Sequence, residues 1–487
     1  MKRLFLLPVL FSLACSDPDP DSGTTPSASG GDGSGAGSTD LGGSQSEGGS
    51  NDPSGSEGGA GTMGTSGTTG AAGAGDQPGL PAFPGAQGFG TTTPGGRGGR
   101  VFVVTTLDWE GEGSLSEALL ATEPRIIVFR VSGVIDVPGG GVSALTEDHS
   151  YVTIAGQTSP GGITLRGAQT TLESYQSNFH DAVFRFLRFR GNGNYDNVSF
   201  NTTHDFVFDH CDFSGGSDEA FDITFSHDFT VQWTTVTNSG PEGQRYGQLI
   251  AYPPTSRITM HHNFSAHHVN RCGPHMHWGA DGEAPLEGAA FDYRNNVIYD
   301  CAFEKGLDIT DPSTGSLAFN VVGNYVKAGP NTPLEGNTAL MGIGAAAQLY
   351  EHDNVYDPQL PILTIYSEPE RMDAPFDYPE VTTEPAAQAF ESVLAKVGAW
   401  PRDAMNVRTI AEARDGTGSL SNVSDPLIET GPQPPVDADL DGMADEWETA
   451  HGLDPADDAD SALDRDGDGY SNIEEYVNEL AQALIGQ

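Results

Sequence analysis

From Val101 onward the chain is built of short apolar runs broken by Gly, Asn and Asp. Val101-Phe102-Val103-Val104, Ile126-Ile127-Val128-Phe129, Tyr151-Val152-Thr153-Ile154 and Val183-Phe184-Arg185-Phe186 set the pattern. Phe206-Val207-Phe208, Phe229-Thr230-Val231, Ile258-Thr259-Met260, Phe291-Asp292-Tyr293 and Leu317-Ala318-Phe319 continue it. β-Branched and aromatic residues in runs this short predict strands rather than helices. Helical periodicity in this stretch is confined to Ser114–Leu120. Successive runs start about 22 to 33 residues apart, the spacing of a stacked repeat.

The ends of these runs carry a second regularity. Asp209-His210-Cys211, His262-Asn263-Phe264, Asn295-Asn296-Val297 and Gly323-Asn324-Tyr325 each put a small polar residue at a turn. Such residues accept left-handed backbone and form hydrogen-bonded ladders between coils. Two-residue hairpin turns are sparse, and the repeat length varies too much for propeller blades. The pattern therefore predicts an all-β fold, a right-handed parallel β-helix (solenoid), with a small α-helical module expected at its C-terminus.

Composition divides the 487 residues into four parts. Residues 1–15 read as a signal: Lys2 and Arg3, an apolar run from Leu4 to Leu13, then a small residue before Cys15. Leu13-Ala14-Cys15-Ser16 resembles a bacterial lipoprotein cleavage site, with Cys15 as the lipidated residue. A protein secreted, or outer-membrane-anchored at the bacterial cell surface through that N-terminal lipid alone, is the expectation. Residues 16–79 are Gly/Ser/Thr-rich with few large apolar residues, which predicts a disordered tether. Residues 80–430 hold the β-helix domain. A proline-containing linker, Pro432 to Pro435, leads into the calcium-loop module at 431–487.

The candidate chemistry centres on Asp209-His210-Cys211-Asp212-Phe213-Ser214-Gly215-Gly216-Ser217-Asp218-Glu219-Ala220-Phe221-Asp222, followed by His261-His262-Asn263 and Arg271. Carboxylates crowded at turns suit a hard cation, and an arginine nearby suits an anionic substrate. The net charge of −46 argues against nucleic acid, whose phosphates need basic patches. It also opposes an acidic polymer, unless bound divalent cations reverse the local sign. His210, His261, His262, His267, His268, His275 and His277 lack zinc-motif spacing and read as stacked or hydrogen-bonded structural residues. With Cys15 set aside, Cys211, Cys272 and Cys301 allow either one disulfide, such as Cys272–Cys301, or three buried thiols.

Several longer motifs are similar to the extracellular pectate lyase family. They are Phe83-Pro84-Gly85-Ala86-Gln87-Gly88-Phe89-Gly90, Gly95-Gly96-Arg97-Gly98-Gly99-Arg100-Val101 and Gly113-Ser114-Leu115-Ser116-Glu117-Ala118-Leu119. Tyr151 to Gly161, Asp209-His210-Cys211 and the tail Val393…Val397-Gly398-Ala399, Pro401-Arg402-Asp403-Ala404 extend the resemblance over roughly residues 80 to 420. It implies cleavage of (1→4)-α-D-galacturonan by β-elimination, with calcium (Ca2+) as cofactor, an arginine base and unsaturated oligogalacturonides as products. Asp218 and Asp222 resemble the acidic pair spaced four apart. Asp196, in Tyr195-Asp196-Asn197-Val198-Ser199, resembles the preceding metal ligand, and Glu219 is a substitute ligand. Arg271 occupies the position of the proton-abstracting arginine. Arg271-Cys272-Gly273-Pro274-His275 departs from the usual arginine-proline-arginine sequence, and the substrate-binding lysine has no clear counterpart. Arg245, His275 and His277 stand in as contacts for the uronate.

At the C-terminus, Asp437, Asp439, Asp441, Asp445 and Glu448 fill the side-chain positions of one calcium loop. Asp464, Asp466, Asp468, Asn472 and Glu475 fill those of a second, with Gly442 and Gly469 in the two segments. The pair resembles a dockerin-like module, which implies either a structural role or an unknown protein partner. The expected protein is a monomeric pectate lyase acting on pectate (polygalacturonate). The alternatives are a non-catalytic surface β-helix that binds acidic polysaccharide, or a lyase for another uronate polymer. A hydrolase on this fold would need paired catalytic carboxylates and, in polygalacturonases, a Gly-His-Gly turn that this chain lacks.

Overall fold

A computed structural model describes residues 79–486 except 139–144, 168–170, 192–194, 239–245, 253, 278–288, 302–306, 311–316, 335–340, 343–346, 361–368 and 421–424. All of these belong to the compact unit Thr69–Gln487. Cys15 and the segment read as a tether lie outside the described residues.

Among the described residues, three parallel sheets of eleven, nine and seven strands wind into a β-helix. Every strand predicted from the apolar runs lies in the eleven-stranded sheet, from Arg100–Val104 through Leu317–Val322. The other two faces are strands of two to six residues. Three consecutive coils enter the large sheet with the same words, His180-Asp181, His204-Asp205 and His227-Asp228. Their aspartates take left-handed backbone (φ 51°, 52° and 55°), and the histidine rings stack 4.8 and 5.0 Å apart. The stack repeats at the strand spacing because parallel in-register coils place like residues over like. Inside, Phe184 stacks on Phe208, Phe189 on Phe213 and Phe206 on Phe229, at 4.7 to 4.8 Å.

The expected polar ladder is present. His210, His262 and Asn295 adopt positive φ (50°, 54° and 52°). The residue after each turn faces the next coil: Cys211 N–H donates to Thr234 Oγ1 and Thr234 N–H to Asn263 Oδ1. Asn263 Nδ2 donates to Asn296 Oδ1 (3.0 Å), Asn296 Nδ2 to Asn324 Oδ1 (3.1 Å) and Asn324 Nδ2 to Asn354 Oδ1 (2.9 Å). Asn296 also accepts from the Asn263 backbone N–H and donates to the Met260 carbonyl. Asn296→Ala therefore strands buried groups on both sides and is expected to cost about 1–3 kcal/mol in urea unfolding.

Helix α1 (Leu115–Leu119) is capped by Ser114, whose side chain accepts from Glu117 N–H, and buries Leu115, Ala118 and Leu119 in the core. Helices α2 (Ala386–Lys396) and α3 (Ala404–Asp415) pack Val393, Leu394, Ile410 and Ala413 on Phe264, Ala266, Val297 and Tyr299. Buried Arg190 joins them to the β-helix by pairing with both Asp212 and Asp403. At the C-terminus, α4 (Asp445–His451) and α5 (Asn472–Ile485) form a small helical region.

Candidate active site

Strand alternation builds one polar face. In the seven-stranded sheet Leu172, Val198, Phe221, Ile223 and Ile250 turn into the core. Their neighbours Glu173, Ser199, Asp222, Leu249 and His275 fall in one row, partnered strand to strand. The loops entering these strands align as well. Glu219 N–H donates to Asp196 Oδ1 (2.8 Å), Tyr246 N–H to the Asp218 carbonyl (3.0 Å) and Gly247 N–H to the Arg271 carbonyl (2.8 Å). Asp196, Asp218–Glu219, Tyr246 and Arg271 thus occupy successive coils, each about 4.8 Å from the next.

The acids converge. One oxygen each from Asp196, Asp218 and Glu219 lies within 4.8 Å of the others. Asp222 receives a 3.5 Å contact from Ser199 Oγ on one oxygen, while its Oδ1 is buried without a hydrogen-bond partner. Burial, reinforced by the Asp218 charge, pushes the Asp196 carboxyl up to about 7. Burial and neighbouring carboxylates raise Glu219 and Asp222 well above the usual range. Glu173, itself raised by burial, adds its charge to the same neighbourhood. Oxygen donors only, in a crowd where ionisation is penalised, fit a hard divalent cation such as calcium.

The other acids of the motif-rich stretch do different work. Asp209 is clamped by Arg185 (2.8 Å), Gln232 (2.8 Å) and His210 (2.8 Å) on the eleven-stranded sheet, and these partners hold its carboxyl far below the usual range. Asp212 belongs to the Arg190 network and accepts from Asn406 Nδ2 (2.7 Å). Linear proximity in the sequence does not survive three-sided winding.

Arg271 is half-buried, its guanidinium carbon 4.9 Å from the centre of the Tyr246 ring, a cation–π distance. The His275 ring lies 5.9 Å from the same tyrosine. Cys272 forms a disulfide with Cys301, while Cys211 is a buried free thiol. The bridge ties the residue beside Arg271 to the coil after it, across 29 positions. Cys272→Ser is expected to lower stability by about 3 kcal/mol. It should also lower kcat more than it raises KM, as steady-state kinetics would show. Arg245 lies outside the described residues, as does the side chain of His277.

The remaining histidines are packed. His210 stacks on Phe186 (4.9 Å) and Trp233 (5.9 Å). His267 sits between Asp300 (2.9 Å) and Glu412 (3.0 Å), and His268 Nε2 donates to the Val236 carbonyl (2.9 Å).

In the C-terminal loops, oxygens of Asp437, Asp439 and Asp441 gather within 4.8 Å, as do those of Asp464, Asp466 and Asp468. Glu448 and Glu475 each carry buried oxygens with no hydrogen-bond partner. Asp445 instead accepts from the Ala438 N–H (2.8 Å), and Asn472 Nδ2 donates to the Asp460 carbonyl (2.8 Å). Tyr246, Glu173 and Asp460 were not anticipated. Alternation around Tyr246 and Glu173 was the one signal available for the first two.

No family model matches the chain. It is 33% identical over 429 residues to a probable pectate lyase C of Aspergillus terreus, covering 82% of this chain and 94% of that protein. A probable pectate lyase C of Aspergillus fumigatus is 32% identical over 425 residues, with the same coverage of each chain, 82% and 94%. Among solved structures, the major cedar pollen allergen jun a 1 aligns with 63% of this chain and 90% of its own, at 14% identity and a TM-score of 0.44. Anchoring at a bacterial cell surface, expected from the Cys15 segment, is corrected by these relatives: they are proteins of fungi, which have no bacterial outer membrane.

Proposed function

The chain belongs to the pectate lyase family, and from that premise we propose that it cleaves (1→4)-α-D-galacturonan by calcium-assisted β-elimination with Arg271 as base. The protein is a polysaccharide lyase. What supports the finer reading is one observation: Asp196, Asp218 and Glu219 converge on the polar face with Arg271 two coils further on.

Asp196, Asp218, Glu219 and Asp222 would hold the calcium ion. The chemistry such an ion would supply there is neutralisation of a uronate carboxylate, which would acidify the proton on the adjacent ring carbon. Arg271 takes that proton. The carbon–hydrogen electron pair becomes the new ring double bond, the bond to the glycosidic oxygen breaks, and that oxygen leaves to be protonated. A guanidinium ordinarily stays charged, so an arginine base implies activity that rises under alkaline conditions. Tyr246 holds the Arg271 guanidinium over its ring, and His275, which shares the Asp222 row, would contact the substrate carboxylate. The C-terminal loops are proposed as a further, paired calcium module of the dockerin-like kind.

Product mass tests the reading. Elimination yields fragments one water lighter than hydrolysis does, so mass spectrometry of digested polygalacturonate should find only the lighter series at the new non-reducing ends. Saturated ends, or no cleavage of this or other uronate polymers, would overturn it.

A further inference from the structure

The first C-terminal loop does more than gather acids. Its donors are buried and unsatisfied: both oxygens of Glu448 (fully buried), Asp441 Oδ2 (4% exposed) and Asp460 Oδ1 (6% exposed) lack hydrogen-bond partners. Asp460 lies outside the twelve-residue loop, in the short helical turn Asp460–Ala462. Its other oxygen accepts from the Asp454 N–H (3.0 Å), which aims Oδ1 toward Asp441 and Glu448. Oxygens of Asp441, Glu448 and Asp460 all lie within 4.8 Å of one another, and Asp441 also belongs to the triad with Asp437 and Asp439. Carboxylate oxygens buried this way without donors are costly unless a cation supplies the missing partner.

The same loop is seated on the β-helix. Gly442 turns it at φ 97°, and a Cβ there would meet Val128 (2.9 Å) and Val101 (3.0 Å). Met443, whose N–H donates to Asp441 Oδ1 (2.8 Å), joins Ala444, Ile473, Tyr476 and Val477 in one apolar cluster with Ile126, Val128 and Ala155 of the eleven-stranded sheet. Arg130 pairs with Asp437 (3.0 Å), Arg97 with Glu474 (2.9 Å), and Arg185 Nη1 donates to Asn478 Oδ1 (2.7 Å). The surface that follows the loop is therefore occupied by the chain's own first coils.

We propose that Asp437, Asp439, Asp441 and Glu448, completed by Asp460, hold one calcium ion that clasps the C-terminal helices onto the first coils of the β-helix. The ion fixes the Asp441–Gly442–Met443 turn from one side while the sheet fixes it from the other. Calcium here governs the stability of the catalytic unit and takes no part in the elimination. The inference extends the calcium reading of the loops and is independent of the polar face that carries Asp196, Asp218 and Arg271, the proposed substrate groove.

Calcium titration by calorimetry and thermal unfolding of the full chain test it, using wild type, Asp460→Asn and Asp218→Asn. Filling this site at about a hundred times its Kd should raise the unfolding temperature of wild type by about 3 °C. Asp460→Asn should weaken this site at least about tenfold and lose at least about half of that rise, with activity at saturating calcium unchanged. Asp218→Asn should keep the clasp-dependent rise while losing activity, which separates failure of the clasp from failure of the groove reading. Should Asp460→Asn not fold, limited proteolysis of the unaltered chain decides. Chelation should open a new cut in the linker Pro432 to Pro435 that calcium suppresses. Unchanged calcium binding in Asp460→Asn, a rise abolished by Asp218→Asn, or no calcium-dependent cut in that linker would overturn the proposal.

Discussion

Arg271→Ala is expected to lower kcat on polygalacturonate by about 10²–10⁴-fold, the contribution of a positioned base. Thermal unfolding and calcium stoichiometry should stay near wild type. The side chain is half-buried at the lip of the sheet, so its loss opens no core cavity. The backbone of residue 271, which accepts from Gly247 N–H, is kept in the variant. Arg271→Lys should recover little. An ammonium preserves charge, but it does not reproduce a planar group stacked over Tyr246 with donors fixed in a fork. A Tyr246→Leu change should act through Arg271, lowering kcat while leaving calcium affinity unchanged. If Arg271→Ala retains most of its activity, another group takes the proton and the assignment fails.

The second large effect is the coupling of calcium to pH at the groove. Asp196 is pushed up to about 7 by burial first and the Asp218 charge second, and Glu219 and Asp222 are raised well above their usual range by burial first and the Asp196 and Asp218 charges second. For carboxyls raised in the folded state, the stability they contribute is present below their unfolded values near pH 4. It is lost as pH rises through the folded values, here toward pH 7. The calcium-free protein should therefore become less stable between about pH 4 and 7, where the crowded acids must ionise together. Calcium reverses the trend by neutralising them. Its binding displaces protons, so Kd should tighten by about tenfold per pH unit for each proton released. Unfolding temperatures with calcium and with chelator should diverge with rising pH, and Asp218→Asn should flatten the divergence. A calcium Kd independent of pH from 5 to 8 would contradict the cluster.

The fold was legible because a parallel solenoid writes its large sheet in the sequence. Runs such as Phe206-Val207-Phe208 and Phe229-Thr230-Val231 recur with their turn residues, and Asn263, Asn296 and Asn324 form the ladder that their positions imply. The face carrying the groove was less legible. Its strands, such as Val198–Asn201, are short, and there the polar Ser199 and Asn201 alternate with the buried Val198 and Phe200. Family resemblance, rather than periodicity, picked out Asp196 and Arg271. Asp209 and Asp222 stand thirteen positions apart in the chain, yet one is locked by Arg185 on the large sheet and the other faces the groove. The coil turns two corners between them. Tyr246 was unremarkable in the sequence because its importance is positional: one coil after Asp218 and one before Arg271. Asp460 was missed for a related reason, since a donor from outside a loop has no place in a linear loop template.

The most direct measurement is ultraviolet absorbance of polygalacturonate incubated with the full chain at alkaline pH, with calcium or with chelator, beside Arg271→Ala. The account predicts a steady rise from the unsaturated product that disappears with chelator and falls by at least about a hundredfold in the variant. A rise that persists without calcium or without Arg271, or no rise at all in the complete system, would contradict it.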